Sequence, residues 1–99
     1  MDYSIDEMET DLMRHVERLR AMRKAKGADY SGDADTFKNF REWGSKGVLV
    51  RIGDKVNRMN SLFRRDAMVL DEKLEDTVDD LINYALYLRI LLDQEKPVD

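Results

Sequence analysis

The spacing of apolar residues is the feature that most constrains the fold of this chain. Along most of its 99 residues, apolar side chains return at intervals of three and four, the period of an amphipathic α-helix. The single proline, Pro97, lies in the tail, so no proline breaks this pattern earlier. No segment with the strand period of two competes with it. The sequence therefore predicts an all-α fold.

The first predicted helix begins at a capping box. Ser4 is followed three residues later by Glu7, an arrangement that satisfies free amide groups at a helix start. Acidic residues crowd the first turns and basic residues the last, as the helix dipole favours. We expect Gly27 to end this helix. Its apolar face consists of Ile5, Met8, Leu12, Val16, Leu19 and Met22.

A loop and a short helix are predicted next. The stretch after Gly27 is rich in glycine, serine and aspartate, which is typical of a loop. Asp35 or Thr36 is the expected cap of the short helix. Three aromatic residues spaced by three follow, and we expect them to be core anchors that close one end of the bundle. They are Phe37, Phe40 and Trp43.

Two long helices complete the expected fold. Ser45 is the expected cap of a helix over about 46–65. Asp71 is the expected cap of the last helix, which runs to about Gln94. Short connections between these helices give a compact bundle of three long helices and one short helix.

Length and charge narrow the possible partners. We expect one domain over 1–99, with flexible tails at 1–3 and 95–99. The core of so short a chain is thin, and surplus apolar residues near the end of the last helix suggest a second buried side. We therefore expect a homo-oligomer, a dimer or larger. The net charge of −4 argues against nucleic acid as the main partner. Since no apolar run reaches about 18 residues, we expect no membrane span and a cytoplasmic location.

The last helix carries a row of carboxylates, Glu72, Asp76 and Asp80, at steps of four, with Asn83 three residues later. Residues at i and i+4 lie one above the other on a helix, so these carboxylates repel each other. A divalent cation would offset that repulsion, and Mg²⁺ prefers such oxygen ligands together with phosphate oxygens. The alternative is a solvated acidic face, which the helix dipole favours near a helix start.

Residues 50–59, VRIGDKVNRM, place three cations on one helical face with one carboxylate among them. Arg51, Lys55 and Arg58 suit phosphate recognition, for which the planar arginine fork is well shaped. If this helix packs beside the last one, the cationic and acidic rows face each other, and Asp54 becomes a fourth carboxylate near the metal. The alternative is a set of ion pairs, each of which contributes little at a surface.

Several stretches of the chain together resemble the nucleotide-modification-associated domain that is common in bacteriophages. They are ERLRAMRKAKGADYSG with the later NF, GVLVRIGDKVNRM and DTVDDLINYA, and they extend over about residues 17–90. That domain is in turn similar to the MazG-like, all-α nucleotide pyrophosphohydrolases. The matching positions are Asp29, Tyr30, Asn39, Phe40, Arg51, Asp54, Lys55, Arg58, Glu72, Asp76, Thr77, Asp80, Asn83 and Tyr84.

The resemblance implies a Mg²⁺-dependent enzyme that hydrolyses a (deoxy)nucleoside triphosphate to the monophosphate and pyrophosphate. It implies that Asp54, Asp76 and Asp80 are catalytic and that they hold the metal together with Glu72. Arg51, Lys55 and Arg58 would contact the phosphates, and Tyr30 and Asn39 the base or sugar. The complete set of implied substrate-binding residues is Tyr30, Asn39, Arg51, Lys55, Arg58 and Asn83.

Two other functions remain open at this point. The MazG-like enzymes carry a second acid on the first metal helix, where this chain has Asn57. The same cationic face could therefore belong to a non-catalytic protein that sequesters cyclic or signalling nucleotides. The third possibility is an interaction module whose charged rows form salt bridges. If the chain is phage-encoded, the expected location is the cytoplasm of the host cell.

Overall fold

The computed structural model of this protein describes residues 2–30, 37–64 and 67–96, apart from the side chains of 27–30 and 67–73. Within these ranges every regular element is an α-helix, which confirms the prediction of an all-α fold. No helix among the described residues is both long and apolar enough to cross a membrane. The three helices are α1 (Ile5–Tyr30), α2 (Lys38–Leu62) and α3 (Ala67–Gln94).

The chain divides into two compact units, Met1–Thr36 and Phe37–Asp99. The first unit contains α1. The second contains α2 and α3, which pack against each other.

The start of α1 follows the predicted capping box. The Glu7 amide donates a hydrogen bond of 3.0 Å to Ser4 Oγ, which confirms the cap. The Tyr3 hydroxyl adds a hydrogen bond to the Asp11 carboxylate one turn further on. The prediction that Gly27 ends α1 was wrong, because the helix continues to Tyr30. Glycine ends a helix where the backbone turns left-handed, whereas inside a helix it costs only about 1 kcal/mol relative to alanine.

Helix α2 contains a kink at Gly44, whose backbone angles are φ 69° and ψ 176°. The short and long helices predicted on either side of this glycine therefore form one element with a break in it. α2 ends at Leu62, before the expected residue 65, and the Phe63 amide closes the last turn on the Met59 carbonyl. The predicted caps Asp35 and Thr36 lie outside the described residues.

Helix α3 ends at Gln94, as predicted, but begins at Ala67 rather than after Asp71. The prediction that Asp71 caps this helix was therefore wrong, since its backbone lies within the helix. Alanine, methionine and leucine at 67, 68 and 70 are good helix formers, and they extend the helix toward its N-terminus.

The core of the second unit is small. Among the described residues its buried apolar side chains are Val48 and Leu62 of α2 and Leu91 of α3, and Thr77 of α3 is buried with them. The expectation that the aromatic residues after position 36 are core anchors was wrong for Trp43, whose side chain is 41% exposed. A kink next to this residue and a thin core leave part of its ring at the surface.

Candidate functional site

One contact joins the cationic row of α2 to the acidic row of α3. Lys55 Nζ donates a hydrogen bond of 2.9 Å to Asp80 Oδ2. Lys55 Nζ also lies 5.9 Å from the centre of the Tyr84 ring, within the range of a cation–π interaction. The Lys55 side chain is 25% exposed and that of Asp80 48%, so the pair lies at the rim of the helix interface. The two rows therefore meet at this pair.

Beside this ion pair lies an aromatic cluster built from both helices. Phe40 is its centre, with ring centroids 4.5 Å from Tyr87, 5.3 Å from Trp43 and 6.3 Å from Tyr84. Phe37 packs 5.3 Å from Phe40 and 6.0 Å from Tyr87. Each of these pairs is either tilted or edge-to-face, and the edge-to-face arrangement is one that aromatic quadrupoles favour. The aromatic cluster comprises Phe37, Phe40, Trp43, Tyr84 and Tyr87.

A second cation lies against the exposed end of the aromatic cluster. The Arg51 guanidinium carbon lies 5.0 Å from the centre of the Trp43 ring. Stacking of this kind contributes about 0.5–1 kcal/mol at an exposed site. Gly47 makes the arrangement possible, because a Cβ atom there would lie 2.9 Å from Trp43 Cβ. Sequence reasoning missed this pairing. Gly47, which lies between Trp43 and Arg51, was a signal that a large side chain packs closely against the helix there.

The kink in α2 is held from the end of α3. After Gly44 the helix starts again, and the Ser45 amide donates a hydrogen bond of 2.9 Å to Glu95 Oε1. Hydrogen bonds from the side chain and backbone of Ser45 lower the pKa of Glu95. A carboxylate at a helix N-terminus satisfies a free amide and interacts favourably with the helix dipole. The amide of the predicted cap residue, Ser45, is thus bound by the carboxylate of the residue that directly follows α3.

The remaining predicted site residues occupy varied positions. Asp54, Arg58 and Asn39 are exposed on α2, and Asp76 is exposed on α3. Asn83 is half-buried on α3. Two further predicted residues lie in helices, but their side chains are outside the described part of the structure: Tyr30 and Glu72.

The acidic residues do not by themselves form a metal cage in the described part of the chain. No group of three histidine, cysteine, aspartate or glutamate side chains lies together among the described residues. The predicted ligand set also includes Glu72, whose side chain is outside that part. A metal site at these carboxylates stays a prediction.

The fold and the site define a class of protein: an all-helical protein whose α2–α3 pair carries cations, carboxylates and aromatic rings side by side. Comparison with family models, with curated proteins and with solved structures gave no match. The functional conclusion therefore depends on the chemistry of this surface.

Proposed function

We propose that this protein binds a nucleoside triphosphate on the α2–α3 surface and hydrolyses it, with Mg²⁺, to the monophosphate and pyrophosphate. The observation that carries the proposal is the position of Lys55. It contacts a carboxylate of the predicted metal row, Asp80, and lies beside an aromatic ring, that of Tyr84. Groups suited to phosphate, to a cation and to a base therefore lie around one residue. The resemblance to the phage domain supports the same activity.

The cations of α2 supply the phosphate contacts in this proposal. Arg51, Lys55 and Arg58 are spaced over two helical turns, a rise of about 10 Å along the axis. The guanidinium groups of Arg51 and Arg58 are on exposed side chains, so a polyphosphate can reach them from solvent. Arginine forks bind phosphate oxygens with two parallel hydrogen bonds, which fixes the orientation of the ligand.

The carboxylates fit the donor chemistry of Mg²⁺. Asp54 and Asp76 are exposed, and Asp80 is half exposed. A carboxylate offers about four acceptor sites, so the hydrogen bond from Lys55 does not exhaust Asp80. Together with Glu72, one helical turn before Asp76, these residues would hold the ion. Mg²⁺ supplies neutralisation of the phosphate charge and activation of the attacking water when it is bound.

Pyrophosphate release tests the enzymatic proposal. The protein is incubated with each nucleoside and deoxynucleoside triphosphate in the presence of Mg²⁺, and pyrophosphate is measured. Asp76→Asn is expected to lower turnover at least about tenfold, since weakened metal ligation costs at least that much. Glu75→Gln is the matched control, because Glu75 is the exposed neighbour of Asp76 on the same helix. Turnover of no substrate, or an equal loss in both variants, would contradict the proposal.

A second candidate, sequestration of a nucleotide without cleavage, is favoured by the Lys55–Asp80 ion pair. The ammonium group already balances one carboxylate of the metal row, at 2.9 Å. Arg51 and Arg58 can bind phosphate whether or not a metal is present. A protein of this kind would hold a cyclic or signalling nucleotide and release it unchanged.

The coupling between Lys55 and Asp80 distinguishes the two candidates. A double-mutant cycle with Lys55→Met and Asp80→Asn is expected to give about 0.5–1 kcal/mol at this partly exposed position. If Asp80 ligates Mg²⁺ in an enzyme, added Mg²⁺ competes with the ammonium group and lowers the coupling energy. Coupling that is unchanged by Mg²⁺, with tight binding in EDTA and no turnover, supports sequestration.

We further propose that two copies associate through an outer apolar row on α3. These side chains are 38–49% exposed and recur at steps of four, so they form a ridge on the helix surface. A two-fold axis would pair the ridge with itself, and burial would supplement the thin core of each copy. The outer apolar row comprises Val78, Ile82, Leu86 and Ile90.

A further inference from the structure

We infer that Trp43 is the surface on which the base of the bound nucleotide stacks, and that the site therefore prefers a purine. The inference rests on the proposed function and adds a ligand class to it. It assigns the base to the exposed end of the aromatic cluster and the phosphates to the neighbouring cations.

Trp43 is the most exposed member of the aromatic cluster, with 41% of its surface accessible to solvent. Phe40 supports it from within the cluster, with the two rings nearly perpendicular at 82° and their centroids 5.3 Å apart. An isolated exposed apolar side chain needs no explanation, but one that continues a cluster of rings extends an apolar surface to solvent. Because the 41% exposure remains with Arg51 in place, part of the ring is still open to an aromatic base.

The backbone is adapted to this position of Trp43. Gly44 follows it with a positive φ of 69°, a conformation that other residues rarely adopt. Gly47 lies beneath it, where a Cβ atom would come within 2.9 Å of Trp43 Cβ. Glycine inside a helix makes the helix less stable than alanine would. Two glycines around one exposed tryptophan indicate that its placement matters more than local helix stability.

The cations continue directly from this ring. Arg51 stacks over Trp43, and its guanidinium group has donors in its plane that remain able to bind an anion. On the other side, Phe40 connects Trp43 to Tyr84, which Lys55 approaches at 5.9 Å. A base on Trp43 would therefore leave the sugar and phosphates beside Arg51, with Lys55 about one helical turn further along α2. Purines have the larger π-face, so stacking favours them over pyrimidines.

Trp43 also provides the assay, because it is the only tryptophan in the chain. Its fluorescence is titrated with adenosine, guanosine, cytidine and uridine triphosphates and with inorganic triphosphate. We expect purine nucleotides to quench Trp43 and to bind about tenfold more tightly than pyrimidine nucleotides, a difference of about 1.4 kcal/mol. Inorganic triphosphate is expected to raise the melting temperature without quenching.

Calorimetry on two variants completes the test. Trp43→Leu is expected to weaken purine nucleotide binding about tenfold and to leave the affinity for inorganic triphosphate unchanged. Tyr3→Leu, which removes an exposed aromatic side chain from the first unit, is the control and should change neither affinity. If Trp43→Leu does not fold, the fluorescence titration of the unaltered protein still tests whether a base stacks on Trp43.

The outcomes separate this inference from the proposed function. Nucleotide binding without quenching, quenching by inorganic triphosphate alone, or equal affinity for all four bases would overturn the role of Trp43 while the proposed function stands. If neither nucleotides nor inorganic triphosphate bind, the proposed function fails and the stacking site fails with it.

Discussion

The kink at Gly44 predicts opposite effects for the same substitution at different glycines of α2. Gly44 has φ 69° and ψ 176°, a region of backbone space used almost only by glycine. A side chain held there costs about 1–3 kcal/mol. Space is not the obstacle, since an added Cβ would meet only Glu95 Oε1, at 3.5 Å. Gly44→Ala should therefore destabilise the protein through backbone strain.

The matched control is Gly53→Ala. Gly53 lies in the regular part of the helix, and a Cβ atom there meets nothing within 4 Å. Alanine should stabilise the helix by about 0.5–1 kcal/mol. Gly47→Ala is a third case, in which the backbone is helical but the Cβ would lie 2.9 Å from Trp43 Cβ. Overpacking of this kind costs about 1–3 kcal/mol.

Thermal unfolding followed by circular dichroism measures all three variants. For a domain of this size about 1 kcal/mol corresponds to 4–8 °C in Tm, so Gly44→Ala should lower Tm by about 8–16 °C for a strain of about 2 kcal/mol. Gly53→Ala should raise Tm by a few degrees. If Gly44→Ala were neutral or stabilising, α2 would be a straight helix in solution, and the assignment of strain to Gly44 would be wrong.

Two further predictions concern the residue that follows α3 and the outer face of α3. Glu95→Gln should lower Tm at pH 7. Because hydrogen bonds from Ser45 lower the folded-state pKa of Glu95 below its ordinary value of 4.5, its contribution is present above that value and is lost as pH falls through the lowered pKa. The Tm difference between the unaltered protein and the variant should therefore shrink in acid, and a difference independent of pH would contradict the cap. Leu86→Lys, in the outer apolar row, should lower the molar mass measured by light scattering to that of one chain, whereas Leu49→Lys, an exposed apolar residue on α2, should not. A monomeric unaltered protein would exclude the proposed association.

Features that depend on residues close together in the sequence could be predicted from the sequence alone. The capping box at Ser4 and Glu7 lies within one helical turn, and the structure contains its hydrogen bond. Helical period indicated the three long helices, and the end of α3 at Gln94 was predicted correctly, whereas the separate short helix is part of α2 and the start of α3 was placed too late. These features follow from local propensity and from the geometry of a single helix.

Features that depend on distant residues were not predictable in the same way. Gly27 has the composition of a helix terminator, yet the helix continues through it. The break in α2 at Gly44 falls between the two helices that were predicted there, but the carboxylate that binds the freed Ser45 amide comes from Glu95, fifty residues later. No pattern within one helix identifies such a partner. The aromatic cluster is similar, since Tyr84 and Tyr87 meet Phe40 only after α2 and α3 have packed.

The kink connects the stability of the second unit to its proposed activity. Gly44 separates the first turns of α2, which carry Phe40 and Trp43, from the cationic row that begins at Arg51. A straight helix would rotate these aromatic rings relative to Arg51, and the stacking at 5.0 Å depends on their present direction. Glu95 holds this direction by binding the helix start after the kink. A variant that straightens α2 should therefore lose nucleotide affinity together with stability, whereas Gly53→Ala, which stabilises the helix without changing its direction, should retain full affinity.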